Sequence, residues 1–221
     1  LDRLAKLTEK GSINIMLDKM ERQQELEYEN EARFNHLHAI GKHIEDTLRE
    51  KIGSDLIQVD NPMRTEGNTI VEDVQNGQDI VVRIKNGEEW VDIFYVEVKS
   101  KWDFSEPAHM STRQVRMAAL HPNEYALCCV DLRKHKHEDL ENLPTEIILE
   151  CTNVKMGIGE ILNPMLKAIL EADNRSDDEQ IKISEYRSNM GASIFEKGDS
   201  LDVLLNTIET KIRQKLSSMS S

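Results

Sequence analysis

The first long hydrophobic pattern of the chain is helical. From Ile13 to Ile52 there is no proline, and apolar residues three and four apart form one stripe: Leu37, Ile40, Ile44, Leu48 and Ile52. Residues 18–33 are instead dense in Glu, Gln and Arg, which is typical of a solvated helical stalk. The pattern predicts a helical linker or stalk over residues 1–33 and a domain over residues 34–221.

Downstream of this helix the pattern changes to short runs of β-branched and aromatic residues. Strands are predicted over residues 56–59, 69–74, 79–84 and 90–99. The last two are joined at Asn86-Gly87, a pair that readily adopts the positive φ angles of a tight hairpin turn. These runs therefore predict antiparallel pairing.

The second half of the chain alternates helical and strand patterns. Ser111 is a predicted N-cap for a helix that stops before Pro122, because the residue before a proline is pushed out of the α region. The other predicted elements are strands over 125–130, 147–151 and 181–186 and helices over 158–172 and 201–216. This order predicts an α/β fold with a mixed central sheet flanked by helices, plus an N-terminal helical extension.

Charged residues in the predicted hairpin form the candidate chemical centre. Glu97 and Lys99 point to the same face of their strand because side chains alternate with period two, and pairing through the turn brings Asp79 roughly opposite them. Two carboxylates and an ammonium would then converge. Glu and Lys alternate on many solvent-facing strands, so the triplet alone is also compatible with an ordinary surface strand. Its neighbours are apolar, however, as in a central strand.

This combination suits hydrolysis of a phosphodiester. Carboxylate oxygens from Asp79 and Glu97, with the backbone carbonyl of Val98, are ligands that Mg²⁺ or Mn²⁺ accepts while keeping positions for water and phosphate. Lys99 would orient or deprotonate the nucleophile and stabilise the growing negative charge. The predicted activity is metal-dependent hydrolysis of a phosphate ester.

Composition limits the class of protein. The net charge of -13 opposes nucleic-acid binding driven by charge alone, although basic residues gather at Arg113, Arg116 and the run 133–137. No apolar run approaches a membrane span, and Cys128, Cys129 and Cys151 form no CxxC pair, so we expect reduced thiols, a cytoplasmic location and no membrane partner. The chain starts at Leu1, and we expect a piece of a longer protein.

Further residues carry a resemblance to a known family. They are Gly41-x-x-x-Glu45, Gly77-Gln78-Asp79-Ile80, Val96-Glu97-Val98-Lys99-Ser100, Met110-Ser111 with Gln114 and Ala118, and Tyr125-Ala126-Leu127. Together, over residues 37–132, they resemble the PD-(D/E)xK nuclease superfamily and, within it, the domain named after the C-terminus of the plant protein NO VEIN. This domain is often found in bacterial multidomain and defence-like proteins.

The resemblance implies a restriction-endonuclease-like core and a DNA endonuclease, with RNA a less favoured substrate, acting as the nuclease module of a larger protein. It implies that Asp79 and Glu97 are metal ligands, Lys99 the catalytic lysine, Glu45 an accessory carboxylate and Gln114 the residue that steadies water or phosphate. Each also has an ordinary structural explanation: Asp79 as a turn residue, for example, or Glu45 as one more charge on a helix.

A second class of function stays open at this point. The same fold could serve as a non-catalytic nucleic-acid-binding or assembly module, joined through the N-terminal helix to an upstream domain of the same protein or to another copy in a homo-oligomer. The intact set of Asp79, Glu97 and Lys99 favours the enzyme. Nucleotide hydrolysis is disfavoured because the chain has no GxxxxGK[ST] loop.

Overall fold

The computed structural model describes residues 12–60, 69–72, 79–102, 108–135, 142–174 and 187–219. The chain divides into two compact units between Ile40 and Gly41. In the first unit the described chain is helical, and every described side chain from residue 19 to residue 35 is exposed. The predicted helix is thereby confirmed, while the domain boundary after residue 33 stays a prediction.

Helix α1 runs from Ser12 to Asp60, which corrects the strand predicted over residues 56–59. Leu56 is buried and continues the three-and-four spacing of Ile44, Leu48 and Ile52, all fully buried. The β-branched composition of 56–59 was misleading, because no proline precedes Pro62 in this helix and the apolar stripe continues through Leu56.

In the described part of the chain, the central sheet has five strands in the order β1-β2-β3-β5-β6. These strands are β1 (Thr69–Glu72), β2 (Ile80–Asn86), β3 (Glu89–Lys101), β5 (Tyr125–Asp131) and β6 (Thr152–Met156). The β3 and β5 strands are parallel and the other pairs antiparallel, so the sheet is mixed, as predicted. A separate two-stranded sheet pairs β4 (Ala108–Ser111) with β7 (Arg187–Met190).

The β2–β3 hairpin is confirmed, with its turn one residue later than predicted. Asn86 pairs with Glu89, so Gly87 and Glu88 form the turn. Gly87 has a φ of 66°, a conformation that glycine adopts without the steric cost of a side chain.

The remaining helices are α2 (Thr112–Leu120), α3 (Thr145–Glu150), α4 (Ile158–Asn174) and α5 (Leu201–Met219), with a 3₁₀ turn at Ala192–Phe195. Helices α2, α4 and α5 confirm their predictions, but α3 replaces most of the strand predicted over 147–151. Pro144, at φ -57°, starts α3, and the strand begins only at Thr152. The strand predicted over 181–186 lies outside the described residues.

Alternation along the strands gives the sheet two buried faces. Val81, Tyr95 and Leu127 belong to one hydrophobic cluster that also contains Val115 of α2 and Leu162 of α4. Their sequence neighbours on the strands point to the opposite face, also buried. Helix α5 contacts β3 and β6, and its buried residues Leu204, Ile208 and Ile212 lie outside that cluster. The predicted α/β class with a mixed sheet flanked by helices is thus confirmed.

Two smaller expectations concern membranes and thiols. None of the helices in the described ranges combines the length and apolarity that crossing a bilayer requires. All three cysteines are free thiols; Cys128 and Cys129 are buried in β5, and Cys151 is half-buried.

Candidate active site

The register of the β2–β3 hairpin decides where Asp79 lies. The pairing register of the two strands shifts by one residue between Val82 and Arg83. On the N-terminal side of this shift, Ile80 pairs with Val96, so Asp79 lies opposite Glu97. A shift of one residue exchanges the faces of a strand. Without it, Asp79 would oppose Val96 and point to the other face of the sheet, away from Glu97.

Lys99 joins the two carboxylates. Its Nζ donates a hydrogen bond to Glu97 Oε1 and lies 3.9 Å from Asp79 Oδ2. Asp79 is also held by the backbone, because Val98 N donates to Asp79 Oδ2 over 2.7 Å. The three side chains predicted to converge therefore do so, on one face and at one end of the hairpin.

Helix α2 adds a fourth side chain to this cluster. Ser111 and Gln114 form a capping box, in which Ser111 N donates to Gln114 Oε1 over 2.8 Å and Gln114 N donates to Ser111 Oγ over 3.3 Å. With its oxygen held by Ser111, the side-chain amide turns its Nε2 toward Glu97, where it donates to Oε1. The helix cap thus fixes the orientation of Gln114 in the site.

Tyr125 is a member of the cluster that the sequence did not predict as a site residue. It is fully buried, and its hydroxyl donates to Glu97 Oε2 over 3.4 Å. The parallel pairing of β3 with β5 sets Tyr125 beside Tyr95, on the same face as Glu97. The signal in the sequence was only a tyrosine opening a buried strand, and the pairing that aims it at Glu97 is a long-range contact.

Glu45 of α1 lies near the cluster. It is half-buried, and its charge raises the pKa of Lys99, which places it within electrostatic reach of that ammonium. Its role as an accessory carboxylate stays a prediction.

Burial dominates the electrostatics of the cluster. Glu97 is fully buried, and loss of hydration raises its pKa to about 8, a rise that Lys99 opposes and Asp79 reinforces. Burial lowers the pKa of Lys99, but the charges of Glu97 and Asp79 outweigh it, and the net direction is upward. Lys99 is therefore protonated near neutral pH, and Glu97 also holds a proton there in the absence of a bound cation.

The donor set fits a hard divalent cation that retains water ligands. In the described ranges, no three His, Cys, Asp or Glu side chains are grouped as a metal cage. Mg²⁺ needs no such cage, since it is usually held by one or two carboxylates and keeps several waters. Asp79 and Glu97 supply these two carboxylates, and a fully buried carboxylate is costly unless a cation neutralises it.

The Val98 carbonyl also faces this cluster. The N–H and C=O of one strand residue point to the same side, and Val98 N is directed at Asp79 beyond the end of β2. The predicted backbone ligand is therefore on the correct edge of β3.

Comparisons with known proteins support the resemblance seen in the sequence. No curated protein and no solved structure matches the chain. A family match covers Asp79, Glu97, Lys99, Gln114 and Tyr125, and leaves Glu45 outside it. Residues 50–141, less than half of the chain, match the family described as Protein NO VEIN, C-terminal, which confirms the predicted likeness to that family over this region.

Proposed function

We propose that Gly41–Ser221 is a Mg²⁺-dependent endonuclease of the PD-(D/E)xK type that hydrolyses phosphodiester bonds of DNA. The observation that carries the proposal is the convergence of Asp79, Glu97 and Lys99 at one end of the central sheet. A divalent cation that displaced the proton of Glu97 would be held by two carboxylates.

The metal would be held by Asp79, Glu97 and the Val98 carbonyl. Bound there, Mg²⁺ or Mn²⁺ would neutralise phosphate and lower the pKa of water. The hydrogen bond from Val98 N fixes one oxygen of Asp79, so that the carboxylate is oriented before a metal arrives.

Lys99 serves as an electrostatic stabiliser in this proposal. Because the neighbouring carboxylates keep it protonated, it is a poor general base near neutral pH. A fixed ammonium in a site that is partly shielded from water meets the charge that develops on the phosphate oxygens. Of the two roles predicted for Lys99, we therefore propose the stabilising one.

Gln114 and Tyr125 also position Glu97. They donate to different oxygens of the same carboxylate, Gln114 to Oε1 and Tyr125 to Oε2. These two donors restrict rotation of the carboxylate, and Gln114 is itself restrained by the Ser111 cap.

Asp79→Asn tests the proposal. Wild type, Asp79→Asn and the control Asp202→Asn, which removes an exposed aspartate at the start of α5, are incubated with supercoiled and linear DNA in Mg²⁺, Mn²⁺ or EDTA. We expect metal-dependent cleavage by wild type and control, and loss of at least a hundredfold in rate for Asp79→Asn.

Two results would contradict the proposal. Equal cleavage by Asp79→Asn would assign the activity to another site or a contaminant. A folded wild type that cleaves neither DNA nor RNA with either metal would favour a non-catalytic module.

A further inference from the structure

The arginines of the second unit whose side chains the structure describes fall into two groups. In its described part, Arg49, Arg83, Arg133 and Arg213 each pair with a carboxylate at 3.2 Å or less. Arg113 and Arg116 are exposed and have no ion-pair partner among the described residues. The chain has a net charge of -13, so these two guanidiniums make the outer side of α2 locally positive in an acidic protein.

Arg113 and Arg116 also share a face of α2. Residues three apart are neighbours on a helix, so the two side chains project from the same side, the side opposite the buried Val115 and Ala118. Leu120, on the same side, is 71% exposed, so this outer face is open to solvent in the described structure.

Helix α2 connects this outer face to the candidate active site. Gln114, the residue next to Arg113, contacts Glu97 from the first turn of the helix. The two arginines therefore lie on the helix that contributes Gln114 to the cluster, within two residues of Gln114 in the sequence.

Arg133, which belongs to the second basic run of the sequence, does not offer the same charge. It donates to both oxygens of Asp131 and also to Glu196, and only 7% of its side chain is exposed. Its charge is therefore neutralised within the protein, whereas Arg113 and Arg116 have no such partner among the described residues.

We propose that the outer face of α2, formed by Arg113 and Arg116, binds the phosphate backbone of the DNA whose scissile bond is presented to the cluster around Glu97. This inference rests on the proposed function and adds the substrate contact that the site lacks. Two guanidiniums hold the backbone through charge and hydrogen bonds, without reading base sequence.

The test is DNA binding by the full chain as a function of salt. Fluorescence anisotropy with a labelled DNA duplex in Ca²⁺ compares four proteins: wild type, Arg113→Ala/Arg116→Ala, Arg113→Lys/Arg116→Lys and Arg213→Ala. Arg213 is the matched control, because it is an exposed arginine on α5 that already pairs with Glu209. Denaturing gels show whether the duplex stays intact, and thermal melts show that each variant folds.

Each phosphate contact contributes roughly 0.9 to the slope of log affinity against log salt. The double alanine variant should therefore lose about 2 from that slope and bind roughly tenfold more weakly near 0.1 M salt. The double lysine variant should keep most of the slope, and Arg213→Ala should bind like wild type.

The outcomes separate this inference from the proposed function. Wild-type slope and affinity in the double alanine variant would overturn the α2 contact, even if the protein cleaves DNA. DNA binding that depends on Arg113 and Arg116 in a protein that cleaves nothing would support the contact while the nuclease proposal fails. Tighter binding of RNA than of DNA by the same face would overturn DNA as its occupant.

Discussion

Two neighbouring parallel strands carry two different clusters of carboxylates and cations. At the end of β5, Arg133 Nε donates to Asp131 Oδ1 over 2.8 Å and Arg133 Nη2 donates to Asp131 Oδ2 over 2.7 Å. Arg133 also donates to Glu196. These hydrogen bonds lower the pKa of Asp131. Near the end of β3, the Glu97 cluster has one ammonium for two carboxylates, and burial raises the pKa of Glu97 to about 8.

The difference separates a structural ion pair from a candidate site. The Asp131 cluster is geometrically saturated, because a planar guanidinium matches a carboxylate with two parallel hydrogen bonds. In the Glu97 cluster, the ammonium of Lys99 is a single point charge that cannot satisfy both Asp79 and Glu97. Burial of Glu97 therefore raises its pKa. The first cluster is complete without a ligand, and the second is the one to which we assign a cation in the proposed function.

The largest expected effect is on catalysis by Lys99→Ala. Removing a preorganised charge that meets developing phosphate charge typically costs on the order of a hundredfold to a thousandfold in rate. Folding and most DNA binding should survive, because Glu97 can remain protonated when Lys99 is absent. Single-turnover cleavage, thermal melts and a binding titration measure these three properties.

The control for this variant is Lys85→Ala, which removes an exposed lysine near the turn end of β2, away from Asp79. It should cleave at the wild-type rate. A Lys99→Ala protein that cleaves as fast as Lys85→Ala would remove the lysine from the proposed mechanism.

The two clusters should respond to pH in opposite directions. The pKa of Glu97 in the folded chain lies above its ordinary value of 4.5, so the folded state holds a proton that the unfolded chain releases. Its contribution is complete below pH 4.5 and is lost as the pH rises through about 8. Glu97→Gln should therefore gain on the order of 1–3 kcal/mol relative to wild type between pH 6 and 9 without metal.

Asp131 should behave in the reverse sense. Its folded pKa is below the ordinary 3.8, so its contribution is present above pH 3.8 and is lost as the pH falls through the folded value. Asp131→Asn should thus be less stable than wild type at pH 7, by about 1 kcal/mol, and the deficit should shrink in acid. Urea unfolding in EDTA at several pH values tests both variants, and parallel pH profiles for the two would contradict the comparison.

The chemistry of the Glu97 cluster was readable from the sequence because it depends on short-range patterns. Period-two alternation put Glu97 and Lys99 on one face, and the turn residues predicted the hairpin that returns Asp79 to them. The one-residue shift between Val82 and Arg83 was not readable, although it sets the face of Asp79. Tyr125 depends on the parallel pairing of β3 with β5, a contact between distant segments.

The fold was predictable to a similar extent. Long periodic segments and caps located α2, α4 and α5, whereas residues 56–59 and 147–151 were assigned to strands from β-branched composition. In the structure, Leu56 extends an apolar helical stripe, and Pro144 starts a helix just before a strand. At residues 56–59 the spacing of buried positions decided the structure, and at residues 147–151 the proline that precedes the helix did; in both places the β-branched composition was the weaker influence.

A smaller effect is expected from Arg133→Ala. The substitution removes the partner of Asp131 and one partner of Glu196, so we expect a loss of about 1–2 kcal/mol in the free energy of unfolding. The cleavage rate per folded molecule should not change, because Arg133 pairs with Asp131 and Glu196, neither of which belongs to the Glu97 cluster. Denaturant melts and cleavage assays on one preparation measure both, and a hundredfold loss of rate with full stability would show that this cluster is not merely structural.

The smallest effect is expected from Tyr125→Phe, which removes only the hydroxyl that reaches Glu97 Oε2 over 3.4 Å. At that length the hydrogen bond is weak, so its loss should cost about 0.5–1 kcal/mol, equivalent to a rate reduction of roughly two- to fivefold. The ring stays in place. Stability should change little, because the substitution removes the hydroxyl itself and so leaves no buried donor without an acceptor. If Tyr125 positions Glu97, the apparent affinity for Mn²⁺ should fall by the same factor as the cleavage rate, which titration of the metal in both the cleavage assay and a calorimeter measures. A variant with unchanged metal affinity and unchanged rate would leave Gln114 and Lys99 as the only side chains that hold Glu97 in this proposal, and would return Tyr125 to the hydrophobic core on that face of the sheet.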